Sequence, residues 1–156
     1  MIRPATPDDV PAIARLIRAL AEYEKLTHEV VLNEADLCEH LFGARPHAEV
    51  FLVQQEDIVV GFMLYFMNYS TFLAKPGIYL EDLFVLPEYR SFGYGKALLR
   101  ELGRIAVERN CGRIEWAVLD WNTPAIGFYQ SLGAKPMEEW TTMRLTGDAI
   151  RNLAET

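Results

Sequence analysis

The sequence predicts a single α/β domain, a mixed and mostly antiparallel central sheet with helices on both faces. Three observations point there. Apolar residues alternate between helical spacing and short strand-like runs, in the order β-α-α-β-β-β-α-β-α-β. The run from Ile78 to Leu86 is apolar at every position except Glu81 and Asp82, as expected of a strand covered on both faces. No linker-like stretch interrupts the 156 residues, enough chain to bury roughly two thirds of its unfolded surface.

Residues 1–5 read as a short edge strand. In "TPDDVPAIARLIRALAEYEK" apolar residues fall at 10, 13, 14, 17, 20 and 21, which is helical spacing. Thr6 or Asp8 can cap this helix, and Asp8 and Asp9 suit its positive end. Asn33 opens a second helix, "NEADLCEHLF", which Gly43 stops. "AEVFLVQQEDIVVGFMLYFMNY" reads as a hairpin turning at "QQED", and "GIYLEDLFVLP" as a third long strand ended by Pro87. "GKALLRELGRIAVERN" places Leu98, Leu102, Ile105 and Ala106 on one helical face. "GRIEWAVLD" is a strand with Trp116 in its interior. "NTPAIGFYQSLGA" is a helix with Asn122 or Thr123 at its cap, Pro124 in its first turn and Gly133 as its stop. "EEWTTMRL" reads as a final strand, and "GDAIRNLA" as a short tail.

Composition narrows the function. A net charge of −7 argues against nucleic acid, which is held by clustered Lys and Arg. It suits a cationic small substrate, and equally a merely soluble surface. The longest apolar run, Val59 to Met67, is about half of a membrane span, and the N-terminal residues lack the apolar core of a signal peptide. Cys38 and Cys111 show no metal or disulfide spacing and are expected as buried, reduced thiols. His28, His40 and His47 show no metal-ligand spacing. These features fit a cytoplasmic protein with no metal and no membrane partner.

The stretch from Arg90 to Lys96, "RSFGYGK", lies between a strand and a helix. Glycines there let a ligand approach the backbone, and the helix start adds about half a positive charge, an anion-binding layout. A Walker loop needs an earlier Gly and a hydroxyl after the Lys, and a dinucleotide fingerprint needs a third Gly where Leu98 stands. Neither fits. Alone, Gly93 and Gly95 are equally a turn pair. The two acids are chemically pointed as well. Neighbouring strand residues face opposite sides, so one carboxylate of Glu81 and Asp82 must sit in a desolvated place. It is there as a sheet ion pair or bulge cap, or because a ligand needs it.

The longer string "LEDLFVLPEYRSFGYGKALL" resembles the signature of the GNAT acetyltransferases: strand, Arg/Gln-x-x-Gly-x-Gly/Ala, helix. Further strings resemble the spermidine/spermine (diamine) N-acetyltransferase family over nearly the whole chain: "IRPAT", "LAEYE", "YLEDLFV", "AVLDWN" and "FYQSLGA". "AVLDWN" is similar to the thialysine-type branch. Ser91 departs from the Gly common there and requires an ordinary φ. The resemblance implies a GNAT-like sheet with a splayed pair of strands for coenzyme A. It implies that acetyl-CoA is held by the backbone of Leu83, Phe84 and Val85, by the loop Arg90, Ser91, Phe92, Gly93, Tyr94, Gly95 and Lys96, and by Asn122 and Ala125. Asn122 is otherwise a plain helix cap.

The same resemblance assigns the amine site to Glu81, Asp82, Tyr23 and Glu24, and less directly to Glu139, where this chain is one residue shorter than some relatives. Read alone, Tyr23 and Glu24 are equally an exposed helix end. The chemistry asks for such acids. With a lysine-like pKa of about 10.4, roughly one amine in a thousand is neutral near pH 7.4, so freeing it costs about 4 kcal/mol. A carboxylate binds the ammonium and takes its proton through water, the role implied for Glu81. Tyr129 by pattern is a core tyrosine, with Ala125, Phe128 and Leu132 facing inward. By resemblance it is the general acid that protonates the departing thiolate, a phenol of pKa about 10 serving a thiol of about 8.5.

The expected protein is therefore an N-acetyltransferase of a polyamine, diamine or thialysine-like primary amine. It would work by direct attack in a ternary complex, and as a homodimer. The alternatives are another amine (arylalkylamine, amino acid or protein N-terminus) or a non-catalytic acyl-CoA-binding regulator.

Overall fold

A computed structural model describes residues 1–156. The chain forms two compact units, Met1–Ala117 and Val118–Thr156. In the first, β1 (Ile2–Pro4), β2 (Glu49–Gln55), β3 (Ile58–Ser70), β4 (Lys75–Val85) and β5 (Ile114–Glu115) make one sheet in chain order. The first four strands pair antiparallel. β5 runs parallel to β4, with Ile78 opposite Ile114 and Tyr79 opposite Glu115. A parallel step needs a crossover, and α3 (Tyr94–Glu108) supplies it.

Helices cover both faces of this sheet. On one face α1 (Val10–Tyr23) and α2 (Glu34–Phe42) bring Ile13, Leu16 and Leu41 against Leu52, Phe62 and Phe84. On the other, Leu98, Leu102 and Ile105 of α3 pack on Val53, Met63, Tyr65 and Leu80. Each such side chain contributes roughly 1.5–3 kcal/mol by leaving water. Burial on both faces is why β3 and β4 read as almost continuous apolar runs.

Local signals set the helix starts. Asn33 Oδ1 accepts from the Asp36 N–H at 3.0 Å and opens α2. The turn before α1 is fixed by Asp9 rather than Asp8. Its Oδ2 accepts from the Thr6 N–H at 2.8 Å, and its two oxygens take both guanidinium nitrogens of Arg3 at 2.8 and 2.9 Å. This ties β1 to α1. Those bonds outweigh the cost of burial and hold the Asp9 carboxyl down at about 2. A second fork, Arg109 on Glu49 at 2.7 Å through both nitrogens, ties the end of α3 to β2.

The second unit holds α4 (Thr123–Ser131) and α5 (Asp148–Glu155) and no strand. The expected strand "EEWTTMRL" is therefore corrected: residues 138–145 have no regular structure. Alternating apolar residues become a strand only beside a hydrogen-bonding neighbour, and residues 118–156 contain none. The strand expected over 112–120 shrinks to β5, because its ladder with β4 covers two residue pairs. Cys38 and Cys111 are free thiols and half-buried, not buried. No helix is long and apolar enough to cross a membrane.

Candidate active site

Glu81 is the extra residue of a β-bulge. Along the β3–β4 ladder Leu64 pairs with Asp82 and Tyr65 with Leu80, so Glu81 has no partner. The bulge resets which side of the sheet each residue faces. Ile78 and Leu80 pack with α3, whereas Phe84 packs with α1 and α2. It explains how two adjacent acids interrupt a doubly covered strand: Glu81 is exposed and Asp82 half-buried.

Asp82 is the electrostatic centre of this region. Burial first, then the charges of Glu81 and Glu24, push its carboxyl up to about 7. Glu24, capping the end of α1, is also raised by burial. None of the three carboxylates enters an ion pair with a Lys or Arg side chain. Tyr23 joins them at the end of α1, its ring centroid 6.2 Å from that of Phe84. The first unit thus gathers Tyr23, Glu24, Asp82 and Phe84, with Glu81 beside them. Acids that repel one another and form no ion pair are a seat for a cationic ligand.

The backbone next to them is equally suited to a ligand. β4 pairs with β5 only through Ile78 and Tyr79, so its later residues have an open edge. Leu86 N–H donates to Val60 O at 2.9 Å. By the alternation of an antiparallel ladder, Phe84 then also bonds toward β3, and the polar groups of Leu83 and Val85 face the open edge. Phe84 contributes its side chain to the core, not its backbone to that edge.

After Pro87 the chain makes a 3-10 turn to Phe92, and Gly93 (φ +77°) starts α3. That left-handed backbone is the one place in the loop that requires glycine. Ser91 keeps a negative φ, so its departure from Gly costs no strain. The first turn of α3 closes with Ala97 N–H on Gly93 O at 3.1 Å. The N–H groups of Tyr94, Gly95 and Lys96 have no acceptor within the helix. A Cβ added at Gly93 or Gly95 would meet nothing within 4 Å. Open space over free amides at the start of a 15-residue helix fits an anion such as a pyrophosphate.

The loop's side chains are less available. The Tyr94 hydroxyl donates to Gln55 Oε1 at 2.8 Å, and its ring stacks on Phe92 at 5.8 Å. Ser91, Phe92 and Lys96 are exposed. Arg90 is exposed too but folds back on the strand: its Nε donates to Val85 O at 3.0 Å, and its guanidinium lies 4.3 Å from the centre of the Tyr23 ring. The sequence offers a bulge only as one alternative for the two acids, and it gives no sign of this stack. The adjacent acids within an apolar strand were the one signal of the bulge.

In the second unit, Asn122 caps α4, with Oδ1 accepting from the Ala125 N–H at a long 3.4 Å. α4 has no fully buried residue. Ala125 and Tyr129 are half-buried, whereas Phe128 and Leu132 are exposed, correcting the inward face expected of them. The Tyr129 ring lies 5.7 Å from that of Phe128. Glu139 is exposed in a turn. Across the chain, no group of three or more His, Cys, Asp or Glu side chains could hold a metal ion.

Comparison with known proteins decides the family. The profile of the acetyltransferase (GNAT) family matches residues 12–134. The chain belongs to the GNAT acetyltransferases. It is 37% identical over 195 residues to the L-ornithine N5-acetyltransferase of Arabidopsis thaliana, covering 96% of this chain and 86% of that protein. It is 39% identical over 165 residues to the thialysine N-epsilon-acetyltransferase of Bos taurus, covering 99% and 96%. A human spermidine/spermine N(1)-acetyltransferase-like protein is 31% identical across 98% of this chain, which matches 23% of that longer protein. Among solved structures, an integron cassette protein of V. cholerae superposes with a TM-score of 0.83 at 25% identity, covering 100% of this chain and 98% of that one. As a GNAT protein of this kind, the chain is an N-acetyltransferase.

Proposed function

We propose that this GNAT protein transfers the acetyl group of acetyl-CoA to a primary amine of a small cationic substrate: a polyamine, a diamine, or an amino acid of the ornithine or thialysine type. The observation that carries the reading is the group of Glu24, Glu81 and Asp82, three carboxylates without a basic partner beside the open edge of β4. The relatives named for ornithine and thialysine, which carry side-chain amines, support it.

Bound acetyl-CoA supplies the acetyl group as a thioester. The loop amides from Ser91 to Lys96 hold its pyrophosphate, and Leu83 and Val85 pair with its arm, one N–H polarising the thioester carbonyl. Asn122 and Ala125 take the coenzyme contacts that their sequence positions imply. Asp82, Glu24 and Glu81 bind the ammonium. Glu81, the exposed member, accepts the ammonium's proton through water, and the freed amine nitrogen attacks the carbonyl carbon. The C–N bond forms, the C–S bond breaks, and Tyr129 gives its phenol proton to the leaving thiolate. Tyr129 is assigned by the string "FYQSLGA", and Glu139 by its place before Trp140. No acetyl-enzyme is required.

The reading takes residues 1–156 as one catalytic domain and a homodimer as the working form. Exposed Trp140, Met143, Leu145, Ile150 and Leu153 support the dimer, because so many large apolar groups on one short segment call for cover. Light scattering at micromolar concentration tests it, a monomer being the contrary result. The activity itself is tested by thiol release from acetyl-CoA against a panel of amines. Release should depend on cationic amines such as ornithine, thialysine and spermidine. A folded protein that binds acetyl-CoA but responds to none of them would contradict the reading.

A further inference from the structure

The arginine that opens the glycine loop does not reach out of it. The 3-10 turn, closed by Tyr89 N–H on Leu86 O at 2.9 Å, doubles the chain back on the end of β4. Arg90 therefore returns to the strand it has just left. Its Nε is used by Val85 O at 3.0 Å, and its guanidinium lies 4.3 Å from the Tyr23 centroid and 5.4 Å from that of Phe84. Tyr23 in turn leans on Phe84 at 6.2 Å, and the next residue is Glu24, whose charge acts on Asp82.

We infer that Arg90 is a positioning residue for the amine site, pinning Tyr23 and the end of α1 against β4, rather than a ligand of the coenzyme's phosphates. A cation over an aromatic face is attracted by the ring's quadrupole, and this pair keeps that attraction at a solvent-exposed site. One side chain thus bridges the coenzyme loop, the coenzyme strand and the helix end that carries Glu24. Without it, Tyr23 loses its cation and Glu24 its fixed distance from Asp82. The amine then meets carboxylates out of place, while the loop amides are unaltered and the edge of β4 loses only the bond at Val85 O. This rests on the amine-acetylating reading above.

The test compares Arg90→Met, which keeps the aliphatic stem, with Arg90→Lys and Tyr23→Leu, each checked for folding by thermal unfolding. Amine KM at saturating acetyl-CoA should rise about two- to fivefold in Arg90→Met, the span of a solvent-exposed cation–π contact. Acetyl-CoA Kd by calorimetry should stay within about twofold. Arg90→Lys, still cationic, should fall between Met and wild type. Tyr23→Leu should raise amine KM in the same way, and combining it with Arg90→Met should add little, since both remove one contact. Weakened acetyl-CoA binding with unchanged amine KM would make Arg90 a phosphate ligand and overturn the inference, as would effects of the two variants that simply multiply. Wild-type protein that acetylates no amine would instead refute the parent reading, and this inference with it.

Discussion

Asp82→Asn should make the ligand-free protein more stable while impairing it as an enzyme. Burial, then Glu81, then Glu24 raise the Asp82 carboxyl from 3.8 to about 7. The folded state therefore holds this proton more tightly than the unfolded chain does. Below pH 3.8 the group is protonated in both states and costs nothing. As pH rises from there to about 7 only the unfolded chain releases the proton, so stability falls, and above 7 the loss is complete. At about 1.4 kcal/mol per unit, a rise of roughly three units amounts to about 4 kcal/mol. Asn copies the neutral acid and escapes this loss. The variant should match wild type near pH 4 and exceed it by about 4 kcal/mol at pH 8, or roughly 8–16 °C in Tm for a chain of this size. Urea unfolding at the two pH values gives the numbers, and amine KM at pH 8 should rise at the same time. An Asp82→Asn protein no more stable than wild type at pH 8 would mean that a structural bond satisfies the carboxylate, and the argument from three unpaired acids would fail.

Gly95→Val should weaken acetyl-CoA binding by calorimetry while leaving the fold intact, because the added side chain meets no protein atom within 4 Å at its Cβ; unchanged affinity would remove the loop from the site. Tyr129→Phe keeps the ring and should lower kcat by roughly 10²–10⁴-fold, with acetyl-CoA affinity unaltered; a loss below about threefold would leave the thiolate's proton to another donor. Asp9→Asn should cost about 2 kcal/mol at neutral pH. The Asp9 carboxyl is depressed to about 2 by Arg3, so that stability is present in full above the ordinary carboxylate range and is lost as pH falls through about 2. Unfolding of the variant and wild type should therefore converge in acid, and a gap that persists there would point to packing instead.

Much of this was legible in the sequence because the local and global signals agree. The helical face of Leu98, Leu102, Ile105 and Ala106 is buried as its spacing requires. Asn33 caps its helix, and Pro87 ends its strand. The failures share one cause: a strand is a relation between segments, and its outcome depends on a neighbour that periodicity does not name. "EEWTTMRL" has the alternation but no partner, and "GRIEWAVLD" pairs for two residues only. The site divides in the same way. The glycine loop is a local string, and the two acids announce themselves against an apolar strand. The one-residue bulge that places Asp82 on the α1 face, and the folding back of Arg90 onto Tyr23, depend on contacts distant in sequence. Phe128 and Leu132 were misread for the opposite reason, helical spacing without burial.

The central claim is that acetyl passes from acetyl-CoA to the free amine of a small cation. The direct measurement follows an isotope label in the acetyl group by NMR, with the protein and either ornithine, thialysine or spermidine. The account predicts that the label appears as an amide on the primary amine, at a rate that rises with pH as more amine loses its proton. Label that remains in the thioester with every amine, or that is released only as free acetate, would contradict it.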